Sequence, residues 1–228
     1  MIFSHLLIKI NVGIVKGGKK MKNTWDDTDF EVFQIEGLEH RMQALIEKVR
    51  PKFEAFGQTY ATYFSAKTGD EFYPHVAKHA RRSVNPPKDS WVAFAPYKRG
   101  YKAMPHFQIG LWGTHVFVIL AVIYEVPDKV QIAERLLKKK SLFKKLPQDF
   151  ILSGDHMSPE ASPLKKAHKG QLQSLLERLR DVKKAEFLVG RHLTQEQAVA
   201  MSANEFETYT EETFDALLPV YNLMVNKK

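Results

Sequence analysis

The chain has 228 residues, 44% hydrophobic and 26% charged, which supplies material for one large folded core and excludes an intrinsically disordered chain. Its formal charge of +8 favours an anionic partner, although lysine-rich surfaces also serve solubility. With no cysteine, disulfides, thiolate metal sites, iron–sulfur clusters and cysteine nucleophiles are excluded, and a reducing compartment is compatible.

Met1 to Val15 is apolar but interrupted by His5, Lys9 and Asn11, so it does not make a membrane span. It also lacks the basic start and small-residue cleavage site of a signal peptide. Lys16-Gly17-Gly18-Lys19-Lys20 ahead of Met21 reads as a translated ribosome-binding site. On that reading residues 1–20 are a non-native extension from an upstream start, and residues 21–228 form a single α+β domain. Removing Lys9, Lys16, Lys19 and Lys20 with no acidic residue takes the charge from +8 to +4 and weakens the argument for an anionic partner.

From Phe30 to Ile35 a short apolar run has strand character, and Gly37 ends it. Leu38, Met42, Leu45, Ile46, Val49, Phe53 and Phe56 recur at helical spacing, with Pro51 expected to kink or restart the helix. Residues 72–79, 91–97, 106–112 and 115–124 read as four sequential strands, which predicts an antiparallel sheet. Asp128 is placed to cap a helix through Lys139, and Gln148 to Leu152 forms a candidate strand before an irregular loop at residues 153–159. Leu172, Leu175, Leu176, Leu179 and Val182 mark an amphipathic helix, and residues 185–192 a strand. Thr194 to Gln197 and Ser202 to Glu205 are capping boxes opening two more helices.

His75, His79, His106 and His115 fall within residues 75–124, together with Trp91, Trp112, Arg81-Arg82 and Lys98-Arg99. The two-residue loop Gly113-Thr114 suits a type II′ hairpin turn and fixes a register. Trp112 then faces His115, Gly110 faces Phe117, Gln108 faces Ile119 and His106 faces Ala121 on one side of the sheet. Phe107, Ile109, Leu111, Val116, Val118 and Leu120 line the other. The mixed face resembles the floor of a ligand pocket, and the competing account is that a helix covers part of it. Arg81, Arg82 and Arg191 are candidates to hold phosphate or carboxylate, since the planar guanidinium matches both. Trp112 would supply a stacking wall, and His106, Gln108 and His115 directional hydrogen bonds. One geometric test is whether His106, His115 and Arg82 face a single concave space.

If residues 72–81 were helical, His75 and His79 would have metal-ligand spacing, but the glutamate of the zinc-protease motif is missing and no third ligand is evident. Asp155-His156 invites an acid–base role, against which stands the frequency of aspartate as a turn former. Phosphate-cradling loops, dinucleotide glycine fingerprints and nucleophile elbows are absent from the sequence.

The runs HVAKHARRSVNPPKDSWVAF (75 to 94), KRGYKAMPHFQIGLWGTHVFVILAVIYE (98 to 125), LSGDHMSPEA (152 to 161) and RLRDVKKAEFLVGRHL (178 to 193) resemble the YktB-like family of uncharacterised bacterial proteins, DUF1054. The resemblance runs from Trp25 onward. It implies an α+β fold of the TATA-binding-protein-like type, a curved antiparallel sheet with helices packed on one side, in a cytosolic protein of Gram-positive bacteria. It implies no activity and no catalytic residues. The residues favour a non-catalytic binding protein for an anionic small molecule or nucleic acid, with no cofactor and no membrane partner. The alternatives are an enzyme using a histidine of the same face as general acid or base, and an assembly role for the C-terminal helix from Ala203.

Overall fold

A computed structural model describes residues 15–16, 19–20, 24–167 and 170–227. The expected extension, residues 1–20, lies outside the described residues apart from a short pairing of Val15–Lys16 with Lys19–Lys20.

Of residues 30–35, expected as a strand, 30–34 are helical and Ile35 alone is extended. In α1 (Asp27–Glu31) the Asp26 carboxylate accepts from the Thr28 N–H at 2.9 Å, and the Asp29 carboxylate reaches back to the Asp26 N–H at 2.9 Å. This Asp-x-x-Asp box satisfies the orphan amides that a Ser-x-x-Glu box would, and it overrides the β character of the apolar run. A 3₁₀ turn follows at Val32–Gln34. α2 (Leu38–Ala44) passes through one π-helical turn, Leu45–Val49, into α3 (Arg50–Thr68). Pro51 sits in the first turn of α3, where its missing N–H is tolerated, so the disturbance expected of it takes the form of the widened turn before it.

The strands are β1 (Tyr73–Val76), β2 (Asp89–Ala95), β3 (His106–Trp112), β4 (His115–Val122), β5 (Ile151–Ser153), β6 (Ser162–Pro163) and β7 (Phe187–Thr194). They form one open sheet in the order β1-β2-β3-β4-β7-β5-β6, and every neighbouring pair is antiparallel. The remaining helices are α4 (Lys129–Lys138), α5 (Leu164–Ala167), α6 (Gln171–Asp181), α7 (Gln195–Ala200) and α8 (Ala203–Met224). Both expected capping boxes, at Thr194 and Ser202, form. Asp128 precedes α4 and its carbonyl accepts from the Ile132 N–H, but its side chain makes no cap hydrogen bond and lies 3.9 Å from Arg135. Among the described residues no helix is long and apolar enough to cross a membrane.

The β3–β4 register is the expected one, from Leu111 opposite Val116 to His106 opposite Ala121. The turn is not type II′, because Gly113 lacks the positive φ that such a turn requires. Glycine suits a close approach there, since a Cβ at 113 would stand 3.1 Å from the Phe33 Cβ and Phe33 would have to give by a few tenths of an ångström.

All the helices that contribute to the core pack on one face. Phe107, Ile109, Leu111, Val116, Val118 and Leu120 join Phe53, Phe64, Ile132, Leu176, Phe214 and Tyr221 in one cluster, with Phe64 stacked on Phe107 at 4.2 Å. Alternate residues point the other way and form a separate, smaller cluster of Trp112, Phe117, Ile119, Ala121, Ile123 and Leu188, with Trp91 packed against it. Among the described residues no helix residue belongs to that second cluster, and a loop rather than a helix bounds the mixed face.

Candidate functional site

The open face carries a cavity of about 140 Å³. Its floor is Gln108, Trp112, Phe117, Ile119 and Leu188, all from the face assigned by register. Gly110 keeps the floor flat, because a Cβ there would meet the Phe117 ring at 2.0 Å. Asp89 and Trp91 wall one side, Tyr101 and Lys102 another, and residues 153–160 the third, through Asp155, His156 and Met157. The Trp91 indole N–H donates to the Tyr101 hydroxyl at 2.9 Å, tying two walls together.

His106, on the same face, is fully buried against the Tyr101 ring at 4.7 Å and does not line the cavity. Its Nδ1 meets the Met104 carbonyl at 2.7 Å and must donate there, so in the neutral ring Nε2 accepts. The Gln108 amide N–H donates to that Nε2 at 2.9 Å. Burial pulls the His106 pKa down to about 4, which keeps this arrangement intact at neutral pH. The consequence is positional, since the Gln108 amide is held with its oxygen free for the cavity that Gln108 lines.

His115 bonds the Thr114 hydroxyl through Nδ1 at 2.8 Å and stacks on His192 at 4.1 Å, while its buried Nε2 has no hydrogen-bond partner among the described residues. His192 lines the cavity and His115 does not. Arg82 donates to the Asn85 carbonyl at 3.3 Å, outside the cavity, and Arg81 is exposed in the same turn. Thus His106, His115 and Arg82 do not share one concave space. Arg191 is on the opposite face, because it pairs with Val118 in the β4–β7 register. There it lies 2.9 Å from Asp149 and between the rings of Phe150 and Tyr209 at 5.2 and 5.0 Å, which corrects its grouping with the mixed face. Of the seven sequence candidates, Gln108 and Trp112 line the cavity.

Residues 72–81 are not a helix: His75 lies on β1, and His79 follows it with φ 52, so the metal spacing does not arise. His75 contacts the Tyr97 carbonyl at 2.9 Å and His79 the Ser90 hydroxyl at 3.2 Å.

The carboxylate partner of His156 is Glu186 rather than Asp155. His156 Nδ1 lies 2.8 and 2.7 Å from the two Glu186 oxygens, and the His156 backbone N–H donates to the same carboxylate at 2.8 Å. Glu186 is 4% exposed, on the open face at the edge of β7. These hydrogen bonds hold its carboxyl below the usual range against the opposing effect of burial, and the same pairing raises His156 above an ordinary histidine. Asp89, buried across the cavity, is pushed up to about 6 by desolvation, with Arg82 and His156 moderating the shift. The signal for Glu186 was a lone acid opening an apolar strand at even spacing from His192. Its partner on an irregular loop has no register from which to be found.

Asp155, His156 and Glu186 each offer a donor atom within 4.8 Å of the others. The His156 nitrogen and the Glu186 oxygens are bonded to each other, and Asp155 accepts from the Met157 N–H at 2.7 Å in a local turn. A cation would have to displace the His156–Glu186 contact, so we read the group as an ion pair beside a turn rather than a ligand set.

Beside the cavity, sharing Tyr101 and Lys102 with it, a shallow groove is lined by His75, Lys78, Arg99 and Glu125. Lys102 pairs with Glu125 at 3.0 Å. Of the groove's lysines and arginine, Lys102 borders the cavity as well, while Lys78 and Arg99 line the groove alone.

A family model described as a domain of unknown function, DUF1054, matches residues 25–221. A UPF0637 protein of Lysinibacillus sphaericus is 62% identical over 206 residues, covering 90% of this chain and 98% of that relative. UPF0637 proteins of Bacillus cereus and Bacillus anthracis are each 49% identical over 201 residues, covering 88% of this chain and 97% of the relative. The open antiparallel sheet and one-sided helices are accordingly those of a chain that belongs to the DUF1054 family, a family of unknown function.

Proposed function

We propose that the open face of the sheet binds a small anionic compound built on a single planar ring, in the cytosolic setting that the family resemblance implies. The observation that carries this reading is the cavity between Trp112, Trp91 and the 153–160 loop, with a basic groove beside it. Its volume of about 140 Å³ is close to the roughly 150 Å³ of an engineered apolar cavity that takes up benzene, so one ring fills it. Gln108 offers an amide oxygen to that ring, and Lys78, Arg99 and Lys102 face a carboxylate or phosphate projecting into the groove. Single-stranded nucleic acid fits less well, because successive bases need a stacking platform, and the open face carries Asp89 and Glu186.

Trp91 and Trp112 are two of the three tryptophans, and Trp25 is buried in the helix-packed core, so ligand entry should be read directly in fluorescence. Benzoate and phenyl phosphate should quench emission saturably, benzyl alcohol more weakly, and inorganic phosphate not at all. Gly110→Ala, which drives the Phe117 ring toward the cavity, should abolish quenching while circular dichroism stays native. Saturable binding that survives this substitution, or oligonucleotide binding in preference to both ring acids, would sink the reading.

A further inference from the structure

Simple binding makes no use of the His156–Glu186 pair. The Glu186 carboxylate receives both the ring Nδ1 and the backbone N–H of His156, so the imidazole is held against rotation at two points. An ionised carboxylate only accepts, and Nδ1 therefore carries a proton in either charge state of the ring. Titration is confined to Nε2, which has no hydrogen-bond partner among the described residues, in a residue that lines the cavity. A carboxylate fixing Nδ1–H while Nε2 faces a bound molecule is the working geometry of a general acid–base histidine. The charged and titratable groups around it are Glu186, Lys102, Asp155, His106 and Asp89.

We propose that His156 is a catalytic acid–base residue, with Glu186 as its positioning residue, and that the reaction class is tautomerisation of a ring-bearing oxo acid; this rests on the cavity being the binding site. The available groups point to proton transfer because, among the described residues, no hydroxyl at the cavity is hydrogen-bonded to His156 as a nucleophile would be. Ser153 is in hydrogen bonds with the Asp155 backbone, and Ser158 accepts from the Glu160 N–H. Asp89 supplies the second proton-exchanging group of the same cavity. In the step, the Asp89 carboxylate takes the enol hydroxyl proton and the oxygen's electron pair closes the carbonyl. The carbon–carbon π pair takes the proton from His156 Nε2–H. Asp89 then returns one proton to solvent and His156 regains one, so no oxidant, reductant or co-reactant is consumed.

Phenylpyruvate is a suitable probe, since it has one ring and one carboxylate and its enol decays with a loss of ultraviolet absorbance. With chelator present, the enzyme should accelerate this decay beyond an equal concentration of imidazole. His156→Gln should slow it by about 10²-fold with tryptophan quenching by phenylpyruvate unchanged. Glu186→Gln should retain activity but move the pH midpoint down toward the ordinary histidine value near 6.5, a shift that a purely structural role would not produce. Quenching with a rate unaffected by His156→Gln overturns the catalytic assignment and leaves the pocket standing. Loss of quenching in His156→Gln makes His156 a ligand contact and likewise overturns it. An absence of quenching by phenylpyruvate in the unaltered protein overturns both readings together.

Discussion

The two faces of the sheet are built from alternate residues of the same strands, yet they meet different surroundings. On the packed face Phe107, Val118 and Leu120 are enclosed by aromatic and aliphatic residues of α3, α4, α6 and α8. On the other, Trp112, Phe117 and Ile119 border a cavity and share their face with His106, Gln108, His115 and His192. An antiparallel strand separates these roles at no cost in chain length, so one face can carry stability while the other carries polar groups that stability would not select.

That difference should appear first in the energetics. Phe107→Ala removes a fully buried ring stacked on Phe64 and should cost about 3–5 kcal/mol in denaturant unfolding. Trp112→Ala should cost about half that or less, since a ring beside a cavity lacks packing partners on one side, and it should abolish benzoate binding. Equal losses would mean that the second cluster is a core in its own right.

Acid should separate the faces next. Burial lowers the pKa of His115 to about 4 and of His192 to about 3, and like-charge repulsion between the stacked rings adds to the effect at His192. A folded value below the unfolded 6.5 means the native state resists protonation, so stability is full above pH 6.5 and falls as pH drops toward 4. Asp89, raised to about 6, acts with the opposite sign and favours folding as pH falls below that value. At about 1.4 kcal/mol per unit each histidine is worth on the order of 3 kcal/mol between pH 7 and 4, and the pair about twice that. His115→Phe combined with His192→Phe should flatten that part of the stability profile, and an unchanged slope would place acid sensitivity elsewhere.

Much of this contrast was legible in the sequence because side-chain alternation is strict. Once Gly113-Thr114 was recognised as a hairpin, both faces of β3 and β4 followed, even though the turn type did not. Helices α6, α7 and α8 followed from apolar spacing and from the boxes at Thr194 and Ser202. The Asp26–Asp29 box was missed because two aspartates are a less familiar version of the motif, and residues 30–35 were misread in consequence. The site was less legible because residues 153–160 have no periodicity to say where they fold. His156 therefore came into view with its sequence neighbour Asp155 and not with Glu186, which lies 30 residues further on. Arginine misled for a related reason, since composition reports the presence of a charge and not the face it occupies.

Arg81 and Arg191 provide the finest test of that last distinction. Both belong to the anion-binding set expected from sequence, yet Arg81 is exposed and Arg191, 12% exposed, is on the helix-packed side with Asp149 and two aromatic rings. Arg191→Met keeps much of the side-chain volume but gives up the ion pair and the cation–π contacts, so it should cost about 1–2 kcal/mol of stability. Benzoate affinity should not change, because nothing on that face reaches the cavity. Arg81→Ala should alter stability by less than about 0.5 kcal/mol and leave affinity equally untouched, whereas Arg99→Ala in the basic groove should weaken benzoate and lower the salt dependence of its binding. A tenfold loss of benzoate affinity in either of the first two variants would return that arginine to the anion site, and would mean that the ligand extends beyond the face on which its ring is held.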